Sequence, residues 1–380
     1  MRNVNEISID EVGGLGRNTK VRAIMLSDTR VGDIPFPMRM ITGTDLNHAQ
    51  KVISVDDSLT IPFISKVYGI NRSYTKPKLD TIAKGKSGWE TEFTQIIADA
   101  KRKDGVLTAL LSNIDPAIAI TDSHDDQLIM LQAGLDVVTI FDSRHIGDVE
   151  LAERIRRDIK LIKNFDKEKI IIVRTTLRQP LALLERKLDL IFGIEEISGV
   201  FVQYGNPDYA YAKLALLRKY ARKPKWIHMF GMPKWDTDKK TSMMHALLPF
   251  CIDSFSLRRP KPFQPDHIIE VKRLNWRVGG YLEFPNEHRQ TYEESLDCQV
   301  DCPPEHEKRV KDILDKYSPE DRISEARIHE AYESQYGFKE SRIAILTGKT
   351  ELFKLYKAKP FLRDFLQRVE NIDLRIRPIG

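Results

Sequence analysis

The chain of 380 residues has only three cysteines, Cys251, Cys298 and Cys302. That is too few for a disulfide framework and predicts a reducing, cytoplasmic setting. No apolar run approaches the roughly 18–20 residues that a membrane span needs, so no membrane partner is expected. The first residues, "MRNVNEISIDEVGG", are polar and acidic and lack the pattern of a secretory signal. Internal repeats, low-complexity tracts and a glycine-rich nucleotide fingerprint are missing too, which weighs against a doubly wound open sheet built around a dinucleotide. Charge of one sign is also scarce. Sixty basic residues face fifty-five acidic ones, for a net charge of +5, which permits a polyanionic partner without requiring one.

What the chain does have is alternation. Between about 117 and 256, short apolar runs rich in β-formers are separated by amphipathic stretches. The runs are "AIAITDS" (117–123), "VVTIFDS" (137–143), "IIIVRTT" (170–176), "GVFVQYG" (199–205), "KWIHMFG" (225–231) and "FCIDSFS" (250–256). Continuous apolar strands alternating with helices imply parallel β/α units, and six in line are more than half a barrel. Further strands are offered by "VRAIML" (21–26), "RMITGT" (39–44) and "FISKVYG" (63–69). The expected architecture is α/β, a modified eight-stranded β/α barrel over residues 1–265. A mostly helical C-terminal subdomain over 266–380 packs on it, where the composition turns to proline and charge. The segment 72–104, basic at its start, reads as an insertion or crossover.

Each run ends in polar residues, and in a β/α barrel the C-terminal strand ends share one mouth where active sites lie. Asp122, Asp142 and Asp253 are therefore the candidate acids. One alone reads equally well as a helix cap or an ion-pair partner of Arg144, Arg174 or Arg258. Three around one mouth suit chemistry at an anomeric carbon, where one carboxylate attacks and another moves a proton. Gln203 offers an amide that can read a base edge, and His228 reads equally as a core histidine or a site residue. Arg258 and Arg259, in "SLRRP", would suit phosphate backbone. Cys298, Cys302, His306 and His329 could hold a structural zinc, with two free thiols as the alternative.

Taken in order, these pieces resemble the tRNA-guanine transglycosylase superfamily, whose fold is a modified β/α barrel with a zinc subdomain. "AITDS" is similar to that family's T-D-S segment, "IFDS" to its F-D-E, and "FVQYG" to its V-Q-G. "IHMFGMP" is similar to its L-M-G-V-G turn, and "CIDSFSLRRP" to its F-D-C-V-x-P-T-R. The resemblance covers about 115–260. It implies that Asp253 is the nucleophile and Asp122 the general acid and base. It also implies that Asp142 and Gln203 hold the base, with Ser123, His228 and Gly231 lining the substrate site.

The departures narrow the expectation. T-D-S is followed here by His124-Asp125-Asp126-Gln127 instead of G-G-F-Q, and only 20 residues separate Asp122 from Asp142. The zinc motif is reduced to Cys298-x-x-x-Cys302. Such departures look most like the branch that acts on DNA, the DNA 7-deazaguanine transglycosylases of phages and bacterial genomic islands. The implied activity replaces guanine in DNA with a 7-deazaguanine such as 7-cyano-7-deazaguanine, through a covalent aspartyl intermediate. Its partners are DNA, the free base and an accessory protein of the modification system. Zinc is the sole implied cofactor, with no redox or nucleotide cofactor. The alternatives are a tRNA-modifying enzyme, a non-catalytic nucleic-acid-binding paralogue, and an unrelated barrel enzyme acting on a phosphorylated metabolite.

Overall fold

The structure is a computed structural model that describes residues 5–15, 19–43, 65–101, 105–115, 117–205, 210–232, 247–257 and 338–348, with a few isolated positions after 350. The candidate nucleic-acid contacts Arg258 and Arg259 lie outside the described residues, as do the candidate zinc ligands Cys298, Cys302, His306 and His329 and most of the 266–380 subdomain.

The chain opens with three antiparallel strands, β1 (Asn5–Gly13), β2 (Val21–Asp28) and β3 (Gly32–Phe36). "VRAIML" therefore belongs to this small sheet and not to the barrel. The barrel begins with two short strands, β4 (Met38–Arg39) and β5 (Ile41–Thr42). It continues through β6 (Val67–Tyr74), β7 (Leu107–Ile114), β8 (Val137–Phe141), β9 (Ile170–Thr176), β10 (Gly199–Gln203), β11 (Trp226–Met232) and β12 (Ser254–Leu257). The strands run in the order β4-β12-β11-β10-β9-β8-β7-β6-β5, and every pairing is parallel. Because β4 and β5 are the two halves of one stretch around Met40, the sheet closes on itself. Met38 N and Met40 N donate to β12 at Asp253 O and Phe255 O (2.9 and 2.8 Å), while Ile41 and Thr42 pair with β6. Eight staves make a TIM-like barrel.

Helices follow the strands: α1 (Lys76–Ala83) and α2 (Ser87–Lys101) after β6, α3 (Asp122–Met130) after β7, and α4 (Asp148–Phe165) after β8. After β9 comes α5 (Leu181–Gly193), and after β10 α6 (Ala210–Leu216). The 72–104 segment is thus the β6–β7 crossover. Helix α4 shows why these stretches form: Leu151, Ile155, Ile159 and Ile162 recur at helical spacing and are buried, with Asp148 and Glu150 in the first turn and Lys163 in the last. No described helix is long and apolar enough to cross a membrane. A further helix over 338–347 packs back on the barrel, stacking Phe338 on Phe255 of β12 with ring centres 5.3 Å apart.

"AIAITDS" is not a strand. The strand is "LTALLSNI", and Asp122 is the first residue of α3. Thr-Asp-Ser-His is a helix start: the Thr121 side chain accepts from His124 N, and the His124 side chain accepts from Thr121 N. That reciprocal capping box outweighs the β-propensity of Ile118 and Ile120. The β7–β8 seam is itself thinly paired, by Ala109 and Val137 alone. Farther up, the Gln132 amide takes the place of a neighbouring strand, accepting from Thr139 N at 2.9 Å and donating to Thr139 O at 3.1 Å.

The antiparallel sheet floors the barrel. Ile24, Leu26, Ile34 and Phe36 join Val67, Leu107, Val137, Ile170, Phe201 and Trp226 in one buried cluster, with Phe36 and Trp226 5.3 Å apart. In the same floor Arg22 of β2 meets Asp253, with both side chains fully buried. Its Nε donates to Asp253 Oδ1 at 2.8 Å and its Nη2 to Oδ2 at 2.5 Å. The remaining donors take the carbonyls of Tyr220, Ala221, Lys223 and Lys225, in the segment leading into β11. Burial works against the Arg22 charge, yet the Asp253 carboxylate more than offsets it and holds the guanidinium above its ordinary value. Removing one partner of such a pair strands the other. Asp253→Ala is expected to cost about 3–5 kcal/mol of stability, and Arg22→Met combined with Asp253→Leu less than the single change. Urea unfolding followed by circular dichroism reads this, and an unchanged midpoint for Asp253→Ala would contradict the structural role.

Candidate functional site at the barrel mouth

Which side chains face the barrel axis follows from strand alternation. On β9, Ile170 and Ile172 lie in the inner cluster, and Ile171 and Val173 in the outer one beneath the helices. Arg174 therefore points inward and Thr175 outward. The same alternation turns Asn113 (β7), Gln203 (β10), His228 and Phe230 (β11), and Ser254 and Ser256 (β12) toward the axis, while Phe141 (β8), in register with Arg174, packs with Ile114, Leu128 and Leu131 at the thin β7–β8 seam.

Arg174 is the chemical centre of this lining. It is 4% exposed. Its Nη2 donates to Ile114 O at 3.2 Å and to Gln203 Oε1, while its Nε has no hydrogen-bond partner. The guanidinium carbon lies 6.0 Å from the Phe141 ring centre and 5.8 Å from that of Phe230. Burial pushes its pKa down to about 10, so it remains a cation at neutral pH. Gly231 sits beside it at φ +70°, a conformation that suits glycine. A Cβ there would stand 3.6 Å from Asn113 Oδ1 and 3.7 Å from Gln203 Cγ, so three strands converge on this point. Deeper in the barrel, His228 is held between Ser254 Oγ (2.7 Å from Nδ1) and Ser256 Oγ (3.1 Å from Nε2). Burial pushes it down to about 3, so it is a neutral imidazole. It is a hydrogen-bonded core histidine at the base of the mouth.

The three candidate acids are not brought together. Asp253 was expected at the mouth, but it immediately precedes β12 and so lies at the opposite end of the barrel, saturated by Arg22 and by Ile227 N (2.6 Å). Asp142 follows β8 and faces outward, behind the barrel wall. Its Oδ1 accepts from Lys187 Nζ of α5 at 2.6 Å, and its Oδ2 from Thr175 Oγ1 (2.5 Å) and Gln179 Nε2 (2.7 Å). Lys187 and Asp142 are both fully buried, a pair that ties helix to wall and turns Asp142 away from the face Gln203 occupies. Asp122 alone reaches solvent, with its side chain 74% exposed, at the mouth-side start of α3 and 2.7 Å from Arg157 Nη1. Ser123 is exposed beside it, donating to Ala83 O at a long 3.4 Å.

Sequence reasoning missed three residues that organise all this: Arg22, Lys187 and the inward aim of Arg174. The signal was present in each case. A lone cation sits inside an apolar run in "VRAIML" and "IIIVRTT", and on the apolar face of α5 in "LERKLDL".

The acidic run that replaces G-G-F-Q has a structural use of its own. Asp125 of α3 and Asp158 of α4 are fully buried side by side with Arg154 and Arg157. Burial and the neighbouring Asp158 carboxylate push Asp125 well above the usual carboxylate range, and burial raises Asp158 as well. Asp125 Oδ1 and Asp158 Oδ2 have no hydrogen-bond partner, and a proton bound by the pair is what would relieve both. A group whose folded pKa is raised binds its proton more tightly in the folded state. Stability is therefore lost as pH rises from the ordinary carboxylate value of 3.8 through the folded titration. Over that interval wild type should lose up to about 1.4 kcal/mol per pH unit relative to Asp125→Asn. Parallel stability–pH curves for the two proteins would show that no proton is shared.

Among known proteins, neither a protein-family model nor a curated relative matches the chain. Among the solved structures it is similar to is a crystal structure of a protein from Coccidioides immitis described as a fructose-1,6-biphosphate aldolase. It is 9% identical, with a TM-score of 0.39 over 80% of this chain and 92% of that one. A likeness at this level says nothing of activity.

Proposed function

We propose that the protein is a base-exchange enzyme of the barrel class, which replaces guanine in DNA with a 7-deazaguanine base taken up free from solution. The observation that carries this reading is the mouth lining. Gln203, to which the motif order assigns the base, points inward near Asn113 and bonds Arg174, whose guanidinium lies against the Phe141 and Phe230 rings. Flat aromatic walls with a few amide and guanidinium donors suit a planar heterocycle. The exchange breaks the bond from C1′ to the leaving guanine and forms one to the incoming base. The incoming ring gives up a proton and the departing ring gains one, so no oxidant or nucleotide is consumed. A base inside a duplex must be extruded before it can enter a mouth of this kind. DNA is favoured over tRNA by the altered T-D-S-H-D-D segment and the short spacing to Asp142.

The roles of the acids are revised in this reading. Asp122, paired with Arg157 but exposed on the mouth side, is the one candidate acid that solvent and a substrate can reach, and this reading gives it the proton transfer. Asp253 and Asp142 are committed to Arg22 and Lys187, and neither serves as nucleophile or base reader. That commitment favours a second reading, a non-catalytic paralogue that binds the base or the nucleic acid without exchanging it.

One experiment separates them. The pure protein is incubated with labelled guanine or 7-cyano-7-deazaguanine and either duplex DNA or bulk tRNA, and nucleosides from each digest are identified by mass spectrometry. Base retention by the protein is measured in parallel by equilibrium dialysis. Label in deoxynucleosides is the expected result, and Gln203→Ala should weaken base retention about tenfold, the loss of one good hydrogen bond. Label in tRNA alone would move the substrate to tRNA. Retention without label would support the paralogue, and neither retention nor label would overturn both readings.

A further inference from the structure

We infer that Arg174 is a specificity-determining residue that selects ligands by an acceptor edge, the O6 and N7 side of guanine, and rejects adenine. The inference rests on the base-exchange reading and deepens it. Arg174 is a buried cation that makes no salt bridge with a carboxylate among the described residues. Its nearest charged neighbour through space, Asp142, faces the other side of the barrel wall and is saturated by Lys187, Thr175 and Gln179. Such a charge is costly to keep in a folded protein unless something else pairs with it. Two aromatic faces offset part of that cost, and the Nε donor remains unused.

The Gln203 contact settles the polarity of the mouth. A guanidinium can only donate, so the amide must turn its Oε1 toward Arg174. The Nε2 group of Gln203 is then a second donor on the same inner face. His228 cannot reverse this polarity, because its two ring nitrogens are already engaged by Ser254 and Ser256. A lining that presents donors suits a ring edge that presents acceptors. Guanine and hypoxanthine offer O6 and N7 together, two acceptors that the unused Arg174 Nε and the Gln203 Nε2 group can meet with one donor each. Adenine sets an amino group where O6 would be, and donor would face donor. The 7-deaza bases lose the N7 acceptor but keep O6, so their binding depends more heavily on the single remaining contact and on any acceptor carried at C7.

The test is equilibrium dialysis of the full chain with radiolabelled guanine, hypoxanthine and adenine, for wild type, Arg174→Met and Arg174→Lys. Wild type should prefer guanine and hypoxanthine over adenine by about 10- to 100-fold. Arg174→Met should bring that ratio to near one while its melting temperature stays level or rises, since an unpaired buried charge has been removed. A merely structural arginine would instead lower the melting temperature and leave the ratio intact. Should Arg174→Met fail to fold, Arg174→Lys keeps the charge without the planar Nε donor and should lose most of the preference. Guanine preference that survives in the folded variant overturns the inference and leaves the base-exchange reading standing. Wild type that retains none of the three bases overturns both.

Discussion

The structure turns on the Arg22–Asp253 pair. It joins the first sheet to the start of the last barrel strand, 231 residues away in the chain, and its remaining donors gather the carbonyls ahead of β11. A bidentate guanidinium–carboxylate contact is directional, so it sets the angle at which β2 crosses the barrel floor. The apolar contact between Phe36 and Trp226 can then form beside it. Closure at the other seam depends on the same place: Met38 N bonds to the Asp253 carbonyl, so the residue that carries the ion pair also anchors the first stave to the last. An apolar floor alone would exclude water, but it would leave the register of β4 on β12 poorly specified.

A second ordering principle is the two-residue period of the strands. Side chains on one face meet the axis, and those on the other meet the helices. The inner face at the mouth receives Asn113, Arg174 and Gln203. The outer face receives Asp142, Thr175 and, from α5, Lys187. On the outer face the Asp142 carboxylate is fully engaged, although Gln179 Oε1 beside it has no partner. On the inner face a charged donor, Arg174 Nε, is left over, and an unused cationic donor facing the axis is what makes the mouth a candidate for ligand rather than more core.

Much of the fold was legible beforehand because parallel barrel strands are buried on both faces and read as unbroken apolar runs. "IIIVRTT", "GVFVQ" and "WIHMFGM" could be recognised on that ground alone. The failure at "AIAITDS" has a local cause, since an N-cap threonine with its capping partner three residues on fixes a helix start whatever the apolar content before it. The site was less legible. Polar residues at the ends of apolar runs imply a shared mouth only when they follow their strands and face inward. Whether a residue sits before or after its strand, and on its odd or even face, depends on strand limits that shift by only a residue or two. Asp253 precedes β12 by one residue and Asp142 follows β8 by one, and those single steps decide their fates.

The sequence by itself determined the α/β class, the alternation of buried strands with amphipathic helices, and the presence of isolated charges inside apolar runs. All of these are local, set by side-chain periodicity and by the cost of exposing apolar surface. Only the tertiary structure decided which stretch closes the barrel, which charge neutralises which, and which polar groups face the axis. Those choices bring together residues far apart in the chain, Arg22 with Asp253 and Asp142 with Lys187. A buried charge must find its partner in space, and one-dimensional spacing does not record where that partner will be.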